Sequence, residues 1–280
     1  MKKINWQKSR AITLSALLIV GITGGNALAS SVSANAEVSW ASLTITGSGA
    51  YTVYDPTTFT KSWSRAGTYE TWSIPNFNAP SAFDDSDDRI GIVATLAESE
   101  KSNANGSSYA LGKTDTTPGQ QNIIANASAF AINYEDYSAM ATARRDICYK
   151  VTTAGNLTFS INYTLDGIDI DASDGSGWSN ILAFTDFHRY NFTTGKWDLI
   201  TVGNVTKEKV SGTIEFDDYI YTESGKITFM YAAKVGEYLH FGAGVTAKAS
   251  AASAVPIPGA VWLLGSGLLG IIATRRKSAQ

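Results

Sequence analysis

Four carboxylates fall within the string Leu165-Asp166-Gly167-Ile168-Asp169-Ile170-Asp171-Ala172-Ser173-Asp174-Gly175. Acids two and three positions apart can converge on one hard cation, and Gly175 permits the sharp bend such convergence needs, so Asp169, Asp171 and Asp174 are candidate ligands for Ca2+. The EF-hand frame is absent, because Ser173 stands where that loop wants a further acid and no glutamate follows at its last position. A solvated acidic turn between strands is the simpler reading. Asp84, Asp85, Asp87 and Asp88 form a second acidic patch, which has no glycine to bend it. His188 and His240 are the only imidazoles, too few to supply a zinc site readily, and no G-x-S-x-G nucleophile frame accompanies them. His240 falls on the polar side of an alternating segment and His188 lies between Phe187 and Arg189, so both read as surface groups. The single cysteine, Cys148, cannot form an internal disulfide and reads as a buried, inert thiol. Trp63, Tyr69 and Trp72 lie in a turn-rich segment, and flat rings there form a candidate rim for stacking on sugars. Core packing is the competing explanation for such rings.

The elements that must position these groups have a period of two. From Asn156 to Asp166, Leu157, Phe159, Ile161, Tyr163 and Leu165 alternate with polar residues, as do Leu239, Phe241, Ala243, Val245, Ala247 and Ala249 further on. Such rows mark half-buried strands, because a helix would scatter them round its circumference. Ala125, Ala127, Ala129 and Ala131 make a third row whose small side chains allow a facing sheet to approach closely. Further strand signals occur at 38–46, 50–54, 89–96, 139–152, 181–190, 197–202, 210–216 and 227–235, separated by Gly, Asn and Asp clusters. The stretch 98–121 is the best long-loop candidate. About ten short antiparallel strands predict an all-β chain built as a single β-sandwich or jelly-roll-like domain over residues 37–248.

Composition agrees. The chain has 280 residues with 44% hydrophobic and only 17% charged side chains, below the usual roughly one quarter, which argues against a helical bundle. All seven charges in 1–29 and 255–280 are basic, so the intervening 15 bases face 25 acids for a net charge of −10. Such a surface excludes nucleic acid as a partner.

Both ends read as targeting segments. Lys2, Lys3, Lys8 and Arg10 precede an apolar run from Ala11 to Ile22 and then Ala27-Leu28-Ala29, the order recognised by the Sec translocon and signal peptidase. Residues 1–29 are the expected signal peptide, with a second small-residue site ending at Ala36. At the other end, residues 249–254 read as a flexible tether. Val255-Pro256-Ile257-Pro258 then leads into an uncharged apolar stretch to Ala273, closed by Arg275, Arg276 and Lys277. That is a short membrane helix with a cytoplasmic basic cluster and the main domain outside.

The segment 255–277, VPIPGAVWLLGSGLLGIIATRRK, resembles the PEP-CTERM protein-sorting signal in its VPxP variant. The likeness covers about a tenth of the chain and lies in the proline-bracketed start, Trp262, the Gly265-Ser266-Gly267 break and the terminal arginines. Ile257 replaces the acid of the eponymous Pro-Glu-Pro. The resemblance implies recognition by an exosortase-type membrane enzyme, with Val255 to Pro258 as the processing motif and delivery to the cell surface or extracellular matrix. It also implies an association with exopolysaccharide and biofilm systems. The expectation is an exported, non-enzymatic protein, transiently in the inner membrane. The alternative is a secreted carbohydrate-binding or glycan-active protein.

Overall fold

In the computed structural model every described element is a β-strand, and the two-residue period of burial is plain in β6 and β7. Residues 29–54, 60–71, 83–117, 121–132, 136–171, 176–211 and 219–252 are described. They form β1 (Ala29–Gly47), β2 (Ala50–Val53), β3 (Lys61–Thr71), β4 (Asp85–Ile90), β5 (Thr95–Asn103), β6 (Gly106–Thr114), β7 (Asn122–Ile132), β8 (Asp136–Thr153), β9 (Gly155–Asp171), β10 (Ser176–Asn191), β11 (Lys196–Ser211), β12 (Tyr219–Ala233) and β13 (Tyr238–Ala252). One sheet runs β12-β9-β1-β7-β6-β5. The second runs β11-β10-β13-β8-β3-β4, with β2 also paired to β8. All pairings are antiparallel, and the sheets face each other as a β-sandwich. The first and last strands, β1 and β13, each lie inside a sheet rather than at its edge.

The core tapers in side-chain size along the strands. Near the ends of the described chain it is lined by Ala34 and Ala36 on β1, Ala125 to Ala131 on β7, Ala139 to Ala143 on β8, and Ala247 to Ala251 on β13. At the other end it is aromatic. Phe159 stacks on Phe229 at 5.1 Å and Phe241 at 5.7 Å and meets Phe187 at 4.9 Å, while Trp40 lies 5.9 Å from Phe241. Between these zones the sheets approach so closely that a Cβ on Gly112 of β6 would lie 2.5 Å from the Thr142 carbonyl oxygen and 2.8 Å from that of Arg65. The small-residue row of β7, Ala125 to Ala131, is buried against the other sheet. One charged side chain, Arg145, enters this interior, where its guanidinium donates to Ser62 Oγ and the Asp115 carbonyl and lies over Trp40. Burial lowers its pKa to about 10.

Several sequence expectations change. The predicted loop 98–121 is largely the β5–β6 hairpin; Gly106, Ser108, Ala110, Gly112 and Thr114 all face inward, so small and polar residues conceal the alternation. The turn-rich reading around Trp63 and Tyr69 is likewise replaced by β3, whose inward Ser62, Ser64, Ala66 and Thr68 carry little hydrophobic signal. The single strand expected over 89–96 is broken at Gly91, which has φ +90°. The tether assigned to 249–254 begins as strand: Ala249, Ser250 and Ala251 are buried in β13, which runs to Ala252. The sandwich starts before residue 37, since Ser30 to Ser39 are paired on both sides, with β7 and β9.

The Asp84 patch has a structural use. Asp84 Oδ2 accepts from the Thr68 amide and the Ser99 hydroxyl, Asp85 accepts from the Glu98 amide, and Asp87 accepts from the Leu96 amide. Carboxylates of β4 therefore satisfy the outward N–H groups of edge strand β5 and stitch the two sheets together along one side. These bonds, led by the Thr68 amide, hold the Asp84 carboxyl below its usual range.

Two predictions follow from the core and its rim. Phe159→Ala should cost about 3–5 kcal/mol in chemical denaturation, because the cavity opens under three other rings. Burial pushes the Asp136 carboxyl up to about 6 from 3.8. The folded chain therefore keeps a proton that the unfolded chain releases, and stability falls as pH rises between those values and stays lower above them. Asp136→Asn should raise the melting temperature at about pH 7.5 and leave it nearly unchanged near about pH 3.5.

Candidate functional site

The outer face of the second sheet carries a cluster built by strand register. On β13, Gly242 pairs with Asp146 of β8 on one side and Asp186 of β10 on the other; one step along, His240 pairs with Cys148 and His188. Alternation puts Arg144, Asp146, Asp186, His188 and His240 on that same face. Gly242 leaves room there: a Cβ would lie 2.5 Å from an oxygen of each of the Asp146 and Asp186 carboxylates and against the Arg144 guanidinium, so these side-chain ends would have to shift. The missing side chain is the seat on which the guanidinium lies.

Arg144 bridges the two acids. Its Nε donates to Asp146 Oδ1 at 2.7 Å, its Nη1 to Asp186 Oδ2 at 2.5 Å and its Nη2 to Asp186 Oδ1 at 2.9 Å. The planar fork suits two flanking carboxylates, and such charge-assisted bonds are the strong class. The carboxylates hold the Arg144 pKa above its ordinary value although burial acts the other way. Both imidazoles border this network. His188 Nε2 stands 3.6 Å from Asp186 Oδ1 and His240 Nε2 stands 3.6 Å from Asp146 Oδ1, beyond hydrogen-bond reach. The rings meet edge to face at 5.6 Å. His188 Nδ1 is buried with no hydrogen-bond partner among the described residues. Burial holds the His240 pKa below its ordinary value, so its neutral form prevails near neutral pH.

Two surfaces adjoin the cluster. A cleft of about 520 Å³ opens toward β3 and β4, lined by Lys61, Trp63, Arg65, Arg144, Asp146 and His240 among others. In the other direction an aromatic chain runs from His240 to Trp197 at 5.6 Å, Tyr190 at 5.2 Å beyond it, then Phe192, Tyr238 and Tyr54. Phe192 is 67% exposed.

No family model, curated protein or solved structure matches the chain. The cluster's chemistry must therefore be read from its own atoms.

The residues singled out from sequence fare differently. Trp63 lies on β3 and lines the cleft, with the Arg65 guanidinium 5.0 Å over its ring. Tyr69 is on the same strand, and Trp72 lies outside the described residues. Of the calcium candidates, Asp169 and Asp171 are in extended β9, in register with Val32 and Ser30 of β1, and Asp174 lies outside the described residues. The processing motif Val255, Pro256, Ile257 and Pro258 and the cluster Arg275, Arg276 and Lys277 also lie outside them. Among the described residues no helix is long and apolar enough to cross a membrane. Cys148 is buried, as expected. The imidazoles are not independent surface groups: His188 is 25% exposed and His240 16%, and they sit side by side. Arg144, Asp146 and Asp186 were missed. Their one sequence signal is the alternation of Arg144, Asp146 and Cys148 opposite the Gly242 and Gly244 pair.

Removing the bridge should expose its importance. Arg144→Met leaves two half-buried or buried carboxylates facing each other and should cost about 3 kcal/mol in urea unfolding. Adding Asp186→Asn should recover part of that loss.

Proposed function

We propose that this chain is an exported, non-enzymatic surface or matrix protein, held briefly in the inner membrane by its C-terminal tail and then processed by an exosortase-type enzyme. The reading rests on the two flanking segments, and one feature of the fold supports it in particular. Ala29 pairs with Ile132 at the end of β7, and Ala252 pairs with Asp136 at the start of β8, just across the short 133–135 connection. The chain therefore enters and leaves the sandwich at the same pole. A signal segment and a membrane tail attached there would both place that alanine-lined pole toward the bilayer, and the aromatic pole with Tyr54, Phe192 and Tyr238 away from it.

The pairing of β1 favours the earlier of the two cleavage sites. A cut after Ala29 leaves β1 whole. A cut after Ala36 would take Ser30 to Ala36 from between β7 and β9 and open both pairings, at the cost of the inner Val32 and Ala34 contacts. Tail processing at Val255 to Pro258 would likewise fall beyond β13 and leave the core untouched.

Export brings the domain to polysaccharide, and the cleft gives a specific reason to keep the carbohydrate-binding alternative as a second reading. Trp63 offers a ring, while Lys61 and Arg65 give the cleft cationic donors suited to an acidic glycan. Cleavage of that glycan is disfavoured. Of the carboxylates at and beside the cleft, Asp146 and Asp186 are engaged by Arg144 and Asp88 lies 3.7 Å from the Arg65 guanidinium, so each already faces a cation rather than a partner acid.

Mass spectrometry of the chain recovered from fractionated cells tests the main reading. The expected product begins at Ser30, ends near Val255 to Pro258 and is found outside the inner membrane. An intact chain with both ends unchanged in the cytosol would refute it.

A further inference from the structure

We propose that Asp186, His188 and His240 form a binding site for a borderline divalent transition-metal ion of the zinc(II) and copper(II) class, with Asp146 as an auxiliary carboxylate. The three residues each bring one donor atom into a group whose members all lie within 4.8 Å of one another. Tetrahedral coordination at roughly 2.0–2.2 Å would set donors about 3.4 Å apart, so closure needs only side-chain movement of an ångström or so. The backbone already supplies the alignment, because His188 and His240 are direct cross-strand partners and Asp186 follows on the same face of β10.

The donor set selects the class of ion. Two imidazole nitrogens with one or two carboxylates suit zinc or copper, whereas calcium and magnesium take oxygen ligands. Charge also allows a dication. Asp146 and Asp186 outweigh Arg144 by one negative charge, and the imidazoles bind as neutral ligands. Arg144 does not exhaust Asp186, since a carboxylate has about four lone-pair directions and the guanidinium uses one on each oxygen. Arg144 instead fixes the carboxylate plane, the kind of outer support that orients metal ligands.

The imidazoles themselves point to a missing partner. Each Nε2 is too far from its neighbouring carboxylate oxygen for a hydrogen bond, and His188 Nδ1 is buried and unpaired among the described residues. Buried polar nitrogens are ordinarily satisfied, so the His188 ring left in this condition beside His240 calls for a ligand. His240 and Asp146 also line the cleft, which gives an ion access from solvent and leaves its remaining coordination position facing the cleft.

Isothermal titration of the tag-free, chelator-stripped full chain with Zn2+ tests the site, with Cu2+, Ca2+ and Mg2+ titrated in parallel. The expected result is one Zn2+ or Cu2+ per chain and no heat from Ca2+ or Mg2+. The doubly substituted His188→Gln, His240→Gln chain should lose more than the roughly 10- to 100-fold in affinity that removal of an outer-shell group produces. Asp186→Asn should weaken binding as well. Because substitution can disturb the sheet, the unaltered protein gives a second readout: Zn2+ should shift the ring resonances of both histidines, and Co2+ should give the visible absorption of a tetrahedral site. Unaltered affinity in the double variant, histidine resonances that do not move, or no binding by the native chain would each overturn the proposal.

Discussion

The distance between two facing sheets is set by the side chains between them, and here that filling changes from one pole to the other. Alanines on β1, β7, β8 and β13 bring the sheets together where the chain enters and leaves, while Phe159, Phe187, Phe229, Phe241 and Trp40 fill the opposite half. Alanine carries no side-chain entropy to lose and little area to bury, so the close-packed half depends on backbone fit. Gly112 marks one such place, facing two carbonyl oxygens of the other sheet. The aromatic half supplies the larger hydrophobic contribution.

That gradient has a functional counterpart on the outer face. Phe241 and Phe187 are rigidly packed beneath the second sheet, next in sequence to His240 and to Asp186 and His188, whose side chains emerge on the opposite surface. A strand anchored on its inner side cannot easily rotate or slip, because a one-residue slip would exchange its two faces. The ion-pair cluster is therefore held by the core below it as much as by its own bonds. Gly242 completes the arrangement by leaving room for Arg144 between the two carboxylates.

Legibility followed the size of the inward residues. Strands with large inward side chains, such as those holding Leu157 to Leu165 and Leu239 to Val245, were plain from alternation. The β5–β6 hairpin and β3 were not, because Ser62, Ser64, Ser108 and Gly112 face a neighbour too near for anything bigger, and small residues give no periodic hydrophobic signal. The acids at 84–88 read in one dimension only as an acidic patch without a bend. Their partners, Thr68, Leu96, Glu98 and Ser99, lie up to sixteen positions away in the chain, and only folding shows that the carboxylates serve an edge strand.

Local periodicity determined that the chain would be antiparallel strands around an apolar interior, and the basic and apolar order of the two ends carried the expectation of export. Those are properties of neighbouring residues, and a linear reading captures them. The joining of Arg144, Asp146, Asp186, His188 and His240 belongs to tertiary structure alone. It depends on which strands lie beside β13 and in what register, and register is decided by the burial of whole faces, summed over strands that are distant in sequence.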